Sequence, residues 1–283
     1  MKRIITIQDI SCVGKCSLTV ALPIISAMGI ETSVIPTAVL STHTAFKNYT
    51  FRDLTSDIKN ISKHFESENL NFDAIYTGYL GSIEQIDVVS EFISKFKTKN
   101  NIIVVDPVMG DNGKFYSGFS QAFIGKMLDL CSKADIIIPN LTEASFLLGV
   151  DYKQVYNEIY IKDILKKLSD LGIQKTVLTG ISFDVKEIGV MMYDKSKNEF
   201  YSYFNEKIKG DFHGTGDIFA STCLGAIMNN LPLQKALNIA VDYTYKSIKN
   251  TVNSVSSCWY GVNFETEIPD LIKMLKEETS LVY

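Results

Sequence analysis

The sequence has no Lys/Arg cluster dense enough to follow a phosphate backbone, and its 28 basic against 32 acidic residues leave a formal charge of -4. Nucleic acid and other polyanion partners are therefore not expected. Long apolar runs are also missing. No uncharged stretch reaches the roughly 18 to 20 residues that a membrane span needs, and the run 16–30 contains Pro23 and Gly29. Met1, Lys2 and Arg3 lead into an apolar segment that Asp9 soon interrupts, which reads as a first strand rather than a targeting peptide. The five cysteines, Cys12, Cys16, Cys131, Cys223 and Cys258, are odd in number, scattered and without paired metal-ligand spacing. They read as reduced thiols, which points to the cytoplasm. No Pro/Gly/Ser-rich linker and no internal repeat divides the 283 residues, so one large domain over 1–283 is expected. A Gly-x-x-x-x-Gly-Lys-Ser/Thr stretch is absent too, which excludes a P-loop as the means of any phosphoryl transfer.

What is present is enough apolar residue, 46% against 21% charged, to build a large core. Short, near-continuously apolar runs at 3–7, 33–39, 74–77, 102–105, 135–138 and 176–178 read as strands buried on both faces. Helical periodicity falls between them, at 17–28, 83–96, 121–130, 155–171, 218–228 and 233–251. Segments 188–193 and 199–204 flank a polar turn and predict an antiparallel hairpin. The expected fold is an α/β class, three-layer α/β/α sandwich with a mostly parallel central sheet and an antiparallel edge hairpin.

Within that pattern the most informative stretch is Phe212-His213-Gly214-Thr215-Gly216-Asp217, followed by an uncharged helical run. The start of a helix presents free N–H groups and the positive end of its dipole to anions, and glycines let a phosphate approach closely. Asp217 there either offsets the dipole or serves as general base for an alcohol. In an open parallel sheet ligands bind beyond the carboxyl ends of the strands, and polar clusters follow each predicted strand: Gln8-Asp9, Ser41-Thr42-His43-Thr44, Gly78-Tyr79, Asp106 to Asp111, Asn140 to Glu143, and Thr179-Gly180. Asp106 and Asp111 bracket a Pro/Gly turn that can aim two carboxylates at one magnesium-phosphate cluster. Asn140 and Glu143 have capping-box spacing; Glu143 also suits a hydrated Mg²⁺, which prefers one or two carboxylates, waters and phosphate oxygens. His43 can meet a substrate hydroxyl or ring, and Tyr79 can stack on an aromatic ligand.

Together, Gly214-Thr215-Gly216-Asp217, Asp106-Pro107-Val108-Met109-Gly110-Asp111 and Pro139-Asn140-Leu141-Thr142-Glu143 resemble the ribokinase-like superfamily, specifically its pyridoxal/pyridoxamine kinases. Ser41-Thr42-His43-Thr44 matches that family's Ser-Asn-His-Thr loop at three of four positions, and Thr77-Gly78-Tyr79 and Tyr260 to Glu265 also fit. The resemblance implies ATP-dependent phosphorylation of the hydroxymethyl group of a vitamin B6 vitamer. It implies Asp217 as base, with N–H groups of Gly214, Thr215 and Gly216 stabilising the transferring oxygens. It implies Asp106, Asp111, Asn140 and Glu143 at the Mg-ATP phosphates, Asp111 and Glu143 facing the metal, and Thr179-Gly180 along the nucleotide. Asp9, Ser11, His43, Thr44 and Tyr79 would surround the ring. A monovalent cation such as K⁺ and a homodimer are implied as well, without an assigned site or interface. The family usually has Ser-His where this chain has Asp9-Ile10, and Asp9-Ile10-Ser11 resembles the Asp-Pro-Ser segment of hydroxymethylpyrimidine kinases. That activity is the nearer alternative, and a non-catalytic B6-binding protein the farther one.

Overall fold

Successive side chains of a strand point to opposite faces, so a strand apolar at every position needs cover on both. The computed structural model, which describes residues 1–116, 118–255 and 258–280, supplies that cover. Its strands are β1 Arg3–Val13, β2 Glu31–Thr42, β3 Phe51–Asp53, β4 Ala74–Thr77, β5 Ile102–Val105, β6 Gly110–Asp111, β7 Lys114–Phe115, β8 Ile136–Ile137, β9 Lys175–Ile181, β10 Glu187–Asp194 and β11 Glu199–Glu206. Its α-helices are α1 Leu18–Ala27, α2 Thr55–Ser67, α3 Ile83–Phe96, α4 Gln121–Cys131, α5 Leu141–Leu148, α6 Glu158–Asp170, α7 Thr215–Met228, α8 Leu233–Asn253 and α9 Ile268–Ser280.

Among the described residues nine strands form one sheet, in the order β11-β10-β9-β8-β5-β4-β1-β2-β3. The six central strands pair in parallel. Ile5, Ile7, Ile75, Ile103 and Val105 face a core shared with α2 to α6. The intervening Ile4, Ala74, Tyr76 and Val104 face a second core shared with α1, α7, α8 and α9. The two-residue alternation along each strand thus builds the three layers. The hairpin expected at 188–193 and 199–204 is β10 and β11, paired antiparallel at the sheet edge.

Several features differ from the sequence expectation; β2 and β9 run on through Ser41-Thr42 and Thr179-Gly180, which were expected after those strands. β1 runs on to Val13, so Asp9 and Ser11 lie inside a strand rather than after it; pairing with β2 continues through Ser11↔Leu40 and Val13↔Thr42, across a register shift between Gln8 and Ile10. A bulge of this kind re-aims a side chain, and such bulges favour active sites. The opposite edge is also antiparallel, through the three residues of β3. Finally, α2 and α9 carry too few buried positions to announce themselves: Thr55, Ile58 and Ser62 in one, Leu271 and Leu275 in the other. Among the described residues no helix is long and apolar enough to cross a membrane.

Candidate active site

The expected polar clusters converge at one edge of the sheet, around the start of α7. Gly214 precedes that helix with φ +79, and a Cβ built on it would lie 1.8 Å from the Lys15 carbonyl oxygen. Glycine is thus required twice, by the left-handed backbone and by contact with the 14–17 loop. The first N–H groups of a helix have no acceptor within it, and none is supplied to Thr215, Gly216 or Asp217 among the described residues. Asp217 sits half-buried in this first turn, its Oδ2 accepting the Ser17 N–H at 2.9 Å. Burial pushes its carboxyl up to about 7, opposed by the Ser17 hydrogen bond and reinforced by the negative charge of Asp9. A carboxylate poised near neutral pH beside unpaired N–H donors can take a proton from an alcohol while the donors hold an anion.

Next to it, Asp9 is 4% exposed and accepts the Ser11 hydroxyl at 3.1 Å. Burial raises its proton affinity, and hydrogen bonds from Ser17 and Ser11 partly offset this. Tyr79 lies within the field of Asp9, and its phenol is pushed up to about 12, first by burial. His43 is buried, with Nε2 3.0 Å from the Tyr260 carbonyl and Nδ1 accepting the Ala45 N–H at 3.2 Å. Those partners define Nε2 as the protonated nitrogen, and burial lowers the ring's basicity. Both nitrogens are engaged by protein, and the ring packs against Phe46 and His213, with centroids 5.0 and 5.1 Å away. Thr44 is exposed beside it.

The third group is acidic. Asp106 and Glu143 are 7% and 3% exposed, and both are held well above the usual carboxylate range, chiefly by burial; for Asp106 the charge of Glu143 adds to it. Asn140 caps α5 through Glu143 N at 3.0 Å, while Glu143 returns a bond to Asn140 N at 2.9 Å and another to Met109 N at 3.1 Å. The capping box is therefore present in full. Asp111 is exposed on the β6–β7 hairpin, with both oxygens bonded to Asn112. Thr179 pairs with Asn140 through an isolated bridge, and Gly180 follows with φ +68. No three metal-ligating side chains converge among the described residues. The donor set, buried carboxylates without a counter-charge, nonetheless fits a hard cation that keeps most of its waters and shares phosphate oxygens, as Mg²⁺ does.

Glu143→Gln should therefore do two things. With one acceptor oxygen in place of two, it leaves either the Asn140 or the Met109 N–H without an acceptor, at a cost of about 1–3 kcal/mol read as a lower melting temperature. It should also raise the magnesium concentration needed for half-maximal activity; an unchanged magnesium titration would leave Glu143 with its capping role alone.

Three residues of this region were not singled out from sequence. Ser17 bonds Asp217 from 200 positions away, and its only local sign is its place at the start of a predicted helix. Lys15 anchors the same loop through Glu265 at 2.9 Å and Asn263 at 3.0 Å. Tyr76 is fully buried under the site, its hydroxyl unpartnered and in the field of Asp106 and Asp217.

The sequence profile of the phosphomethylpyrimidine kinases matches residues 22–259. The chain belongs to that family. Among curated relatives of this phosphomethylpyrimidine kinase family member, a pyridoxal kinase of Dictyostelium discoideum is 29% identical over 270 residues, covering 90% of the chain and 88% of the relative. Among solved structures, a protein of Bacteroides thetaiotaomicron assigned to the phosphomethylpyrimidine kinases, crystallised with pyridoxal, superposes with a TM-score of 0.91 at 36% identity and covers 95% of each chain. Pyridoxal kinase of Lactobacillus plantarum gives 0.89 at 27% identity, covering 98% of this chain and 99% of its own. These relatives put this family member in the pyridoxal kinase branch of the ribokinase-like superfamily.

Proposed function

We propose that the chain transfers the γ-phosphoryl group of ATP to the 5'-hydroxymethyl group of a vitamin B6 vitamer. The observation that carries this reading is Asp217, poised near neutrality in the first turn of α7, beside N–H groups with no acceptor among the described residues and held by the Ser17 N–H. The vitamer is supported by the pyridoxal kinases among its relatives and by the Bacteroides protein crystallised with pyridoxal. Asp217 takes the hydroxyl proton as the new P–O bond forms and the bond from γ-phosphorus to the bridging oxygen breaks, releasing ADP. N–H groups from Gly214 to Asp217 hold the charge on the transferring oxygens. Asp9 and Ser11 meet the ring nitrogen, with Tyr79, His43 and Thr44 around the ring. Asp106, Asn140, Thr179 and Gly180 line the nucleotide phosphates. Mg²⁺, held by Asp111 and Glu143 directly or through water, would neutralise phosphate charge. The same reading takes the protein as a single-domain cytoplasmic homodimer.

A second reading, hydroxymethylpyrimidine phosphorylation, is favoured by Asp9 and by the family profile. ADP release from Mg-ATP with pyridoxal, pyridoxamine, pyridoxine and hydroxymethylpyrimidine offered separately decides between them. Turnover with the pyrimidine alone would replace the first reading, and turnover with none would make the chain a binding protein.

The pH dependence follows from the same carboxyl. A base must be ionised to act, so kcat/KM should rise with pH through a midpoint near 7, where Asp217 loses its proton in the free enzyme. A profile flat between pH 5.5 and about 8.5 would remove Asp217 from that role.

A further inference from the structure

The 14–17 loop, whose Ser17 N–H donates to Asp217 Oδ2 at 2.9 Å, is packed on three sides. A Cβ built on Gly14 would lie 2.7 Å from His43 Cδ2, one on Gly214 would lie 1.8 Å from the Lys15 carbonyl oxygen, and one on Gly261 would lie 2.4 Å from Lys15 Cβ. None of the three contacts leaves room for a methyl. The loop is also tied within itself, since the Thr19 hydroxyl meets the Gly14 and Cys16 carbonyls at 2.9 and 2.7 Å. Ser17 holds φ +50 and ψ -132, a conformation that is strained for a residue with a Cβ. Such strain persists only where the surroundings over-determine it.

One of those sides is a strap, residues 260–265, anchored on α8. Val262 and Phe264 are buried in the second core, the Asn263 N–H donates to the Thr251 hydroxyl at 2.7 Å, and the Phe264 carbonyl accepts the Tyr243 hydroxyl at 2.8 Å. From this strap Glu265 and Asn263 reach Lys15 Nζ at 2.9 and 3.0 Å, and the Tyr260 carbonyl meets His43 Nε2 at 3.0 Å. The Lys15 and Glu265 side chains are 20% and 49% exposed, so as a stabilising ion pair this one is worth little. Its effect is on position. The stem of Lys15 lies on Gly261, its head is gripped by two oxygens, and two residues further on stands the N–H that holds Asp217.

We propose that Lys15 is a positioning residue: gripped by Glu265 and Asn263 of the strap, it fixes the 14–17 loop so that the Ser17 N–H stays on the Asp217 carboxylate. The assignment rests on the reading of Asp217 as the base. A displacement of about 1 Å in a catalytic constellation costs on the order of 100-fold in rate, so a contact that adds little to stability can add much to turnover. The titrating groups that face Asp217 are Asp9 from β1, Cys16 from the loop itself, Tyr76 from β4, Asp106 after β5 and Tyr116 after β7. Against these, the Ser17 N–H favours the charged form of Asp217, and a loop that slips gives that contact up.

The grip can be tested from both ends in the free protein, by ¹³C NMR titration of labelled aspartate carboxyls with the Asp217 signal assigned from Asp217→Asn. Lys15→Met keeps the stem and removes the charged head; the double variant Asn263→Ala/Glu265→Ala removes both acceptors and keeps the lysine. The fields of the lost charges act in opposite directions, since a lost cation raises the Asp217 midpoint and a lost carboxylate lowers it. A released loop acts in one direction only. Both variants should therefore raise the midpoint by roughly 0.5–1 pH unit, as expected for loss of one N–H bond to the carboxylate. Shifts of opposite sign, or no shift in either variant, overturn the proposal. Lys15→Arg, which restores charge and donors, should return the midpoint to that of the wild type. Steady-state kinetics supply the second readout, at a pH of about 9 where Asp217 is ionised in every variant. There kcat should fall by about 10- to 100-fold in both variants with KM for ATP nearly unchanged, while the melting temperature stays within about 4 °C of wild type. A lower melting temperature with midpoint and kcat unmoved would make the strap a structural brace alone and overturn the proposal. A wild type that turns over no vitamer overturns the vitamer reading, and the titration still decides the grip.

Discussion

Asp217→Asn is expected to lower turnover by about 100- to 10,000-fold, the usual contribution of general-base catalysis, with ATP binding nearly unchanged. The amide keeps the size of the carboxylate and can still accept the Ser17 N–H through its oxygen, so the first turn of α7 keeps its geometry. What it loses is the capacity to take a proton. Stability should move the other way. The Asp217 carboxyl titrates near 7 in the folded protein against roughly 3.9 for an unfolded Asp. Between those values the folded state binds more protons than the unfolded state, so stability falls as pH rises through that window. By pH 8 the ionised Asp217 is a full liability that asparagine removes. The variant should therefore melt at or above the wild-type temperature at pH 8 while being nearly inactive. Turnover within threefold of wild type would show that another group takes the proton; a large drop in melting temperature would show that Asp217 holds the structure rather than performs chemistry.

Gly214→Ala is the second variant with a large expected effect. The φ of +79 costs an L-residue roughly 1–2 kcal/mol, but the larger problem is the neighbour. The new methyl would meet the Lys15 carbonyl oxygen at 1.8 Å, and that oxygen belongs to backbone, which cannot swing aside as a side chain does. Either the 14–17 loop or the start of α7 must move. Both carry the hydrogen bond between Ser17 and Asp217, so the base leaves its place along with the N–H donors. A displacement of about 1 Å in such a constellation costs on the order of 100-fold in rate. We expect kcat/KM to fall by at least that factor in protein that still folds, as checked by circular dichroism and steady-state kinetics. At Gly216 an added methyl meets nothing within 4 Å, so Gly216→Ala should lose far less. Equal losses at both positions would mean that the contact with Lys15 is not what makes Gly214 necessary.

Much of the fold is written in local chemistry. Residues 102–105 are apolar at every position and 74–77 at all but Thr77, which requires cover on both faces, and the structure covers them with helices on both. The polar turn at 194–198 between two alternating segments predicts the β10–β11 hairpin, and the hairpin is there. Asn140 and Glu143 are three apart at a helix start, and the capping box is there too. Where local chemistry and long-range pairing disagree, pairing wins. Asp9, Ser11 and Cys12 look like a loop after an apolar run, yet β2 carries β1 on to Val13 by pairing with Ile10, Ser11 and Val13, because a parallel neighbour satisfies backbone N–H and carbonyl groups whatever the side chains are. The edge strand β3 is exposed at all three residues and has no periodicity to read.

The same division holds at the site. The sequence by itself determined which residues are able to do chemistry: a glycine-flanked Asp at a helix start, acids around a Pro/Gly turn, and polar groups within or just after the carboxyl ends of the strands. Each follows from spacing along the chain, and spacing is local. Only the tertiary structure decided how those residues bear on one another. It brought the Ser17 N–H to Asp217, seated Lys15 on Gly214, and set His43 Nε2 against the Tyr260 carbonyl. Those relations join segments some 200 residues apart in the chain. They are set by how α1 and α7 pack on one face of the sheet, and the burial that packing imposes is what brings a carboxyl that would titrate near 4 in water up to about 7.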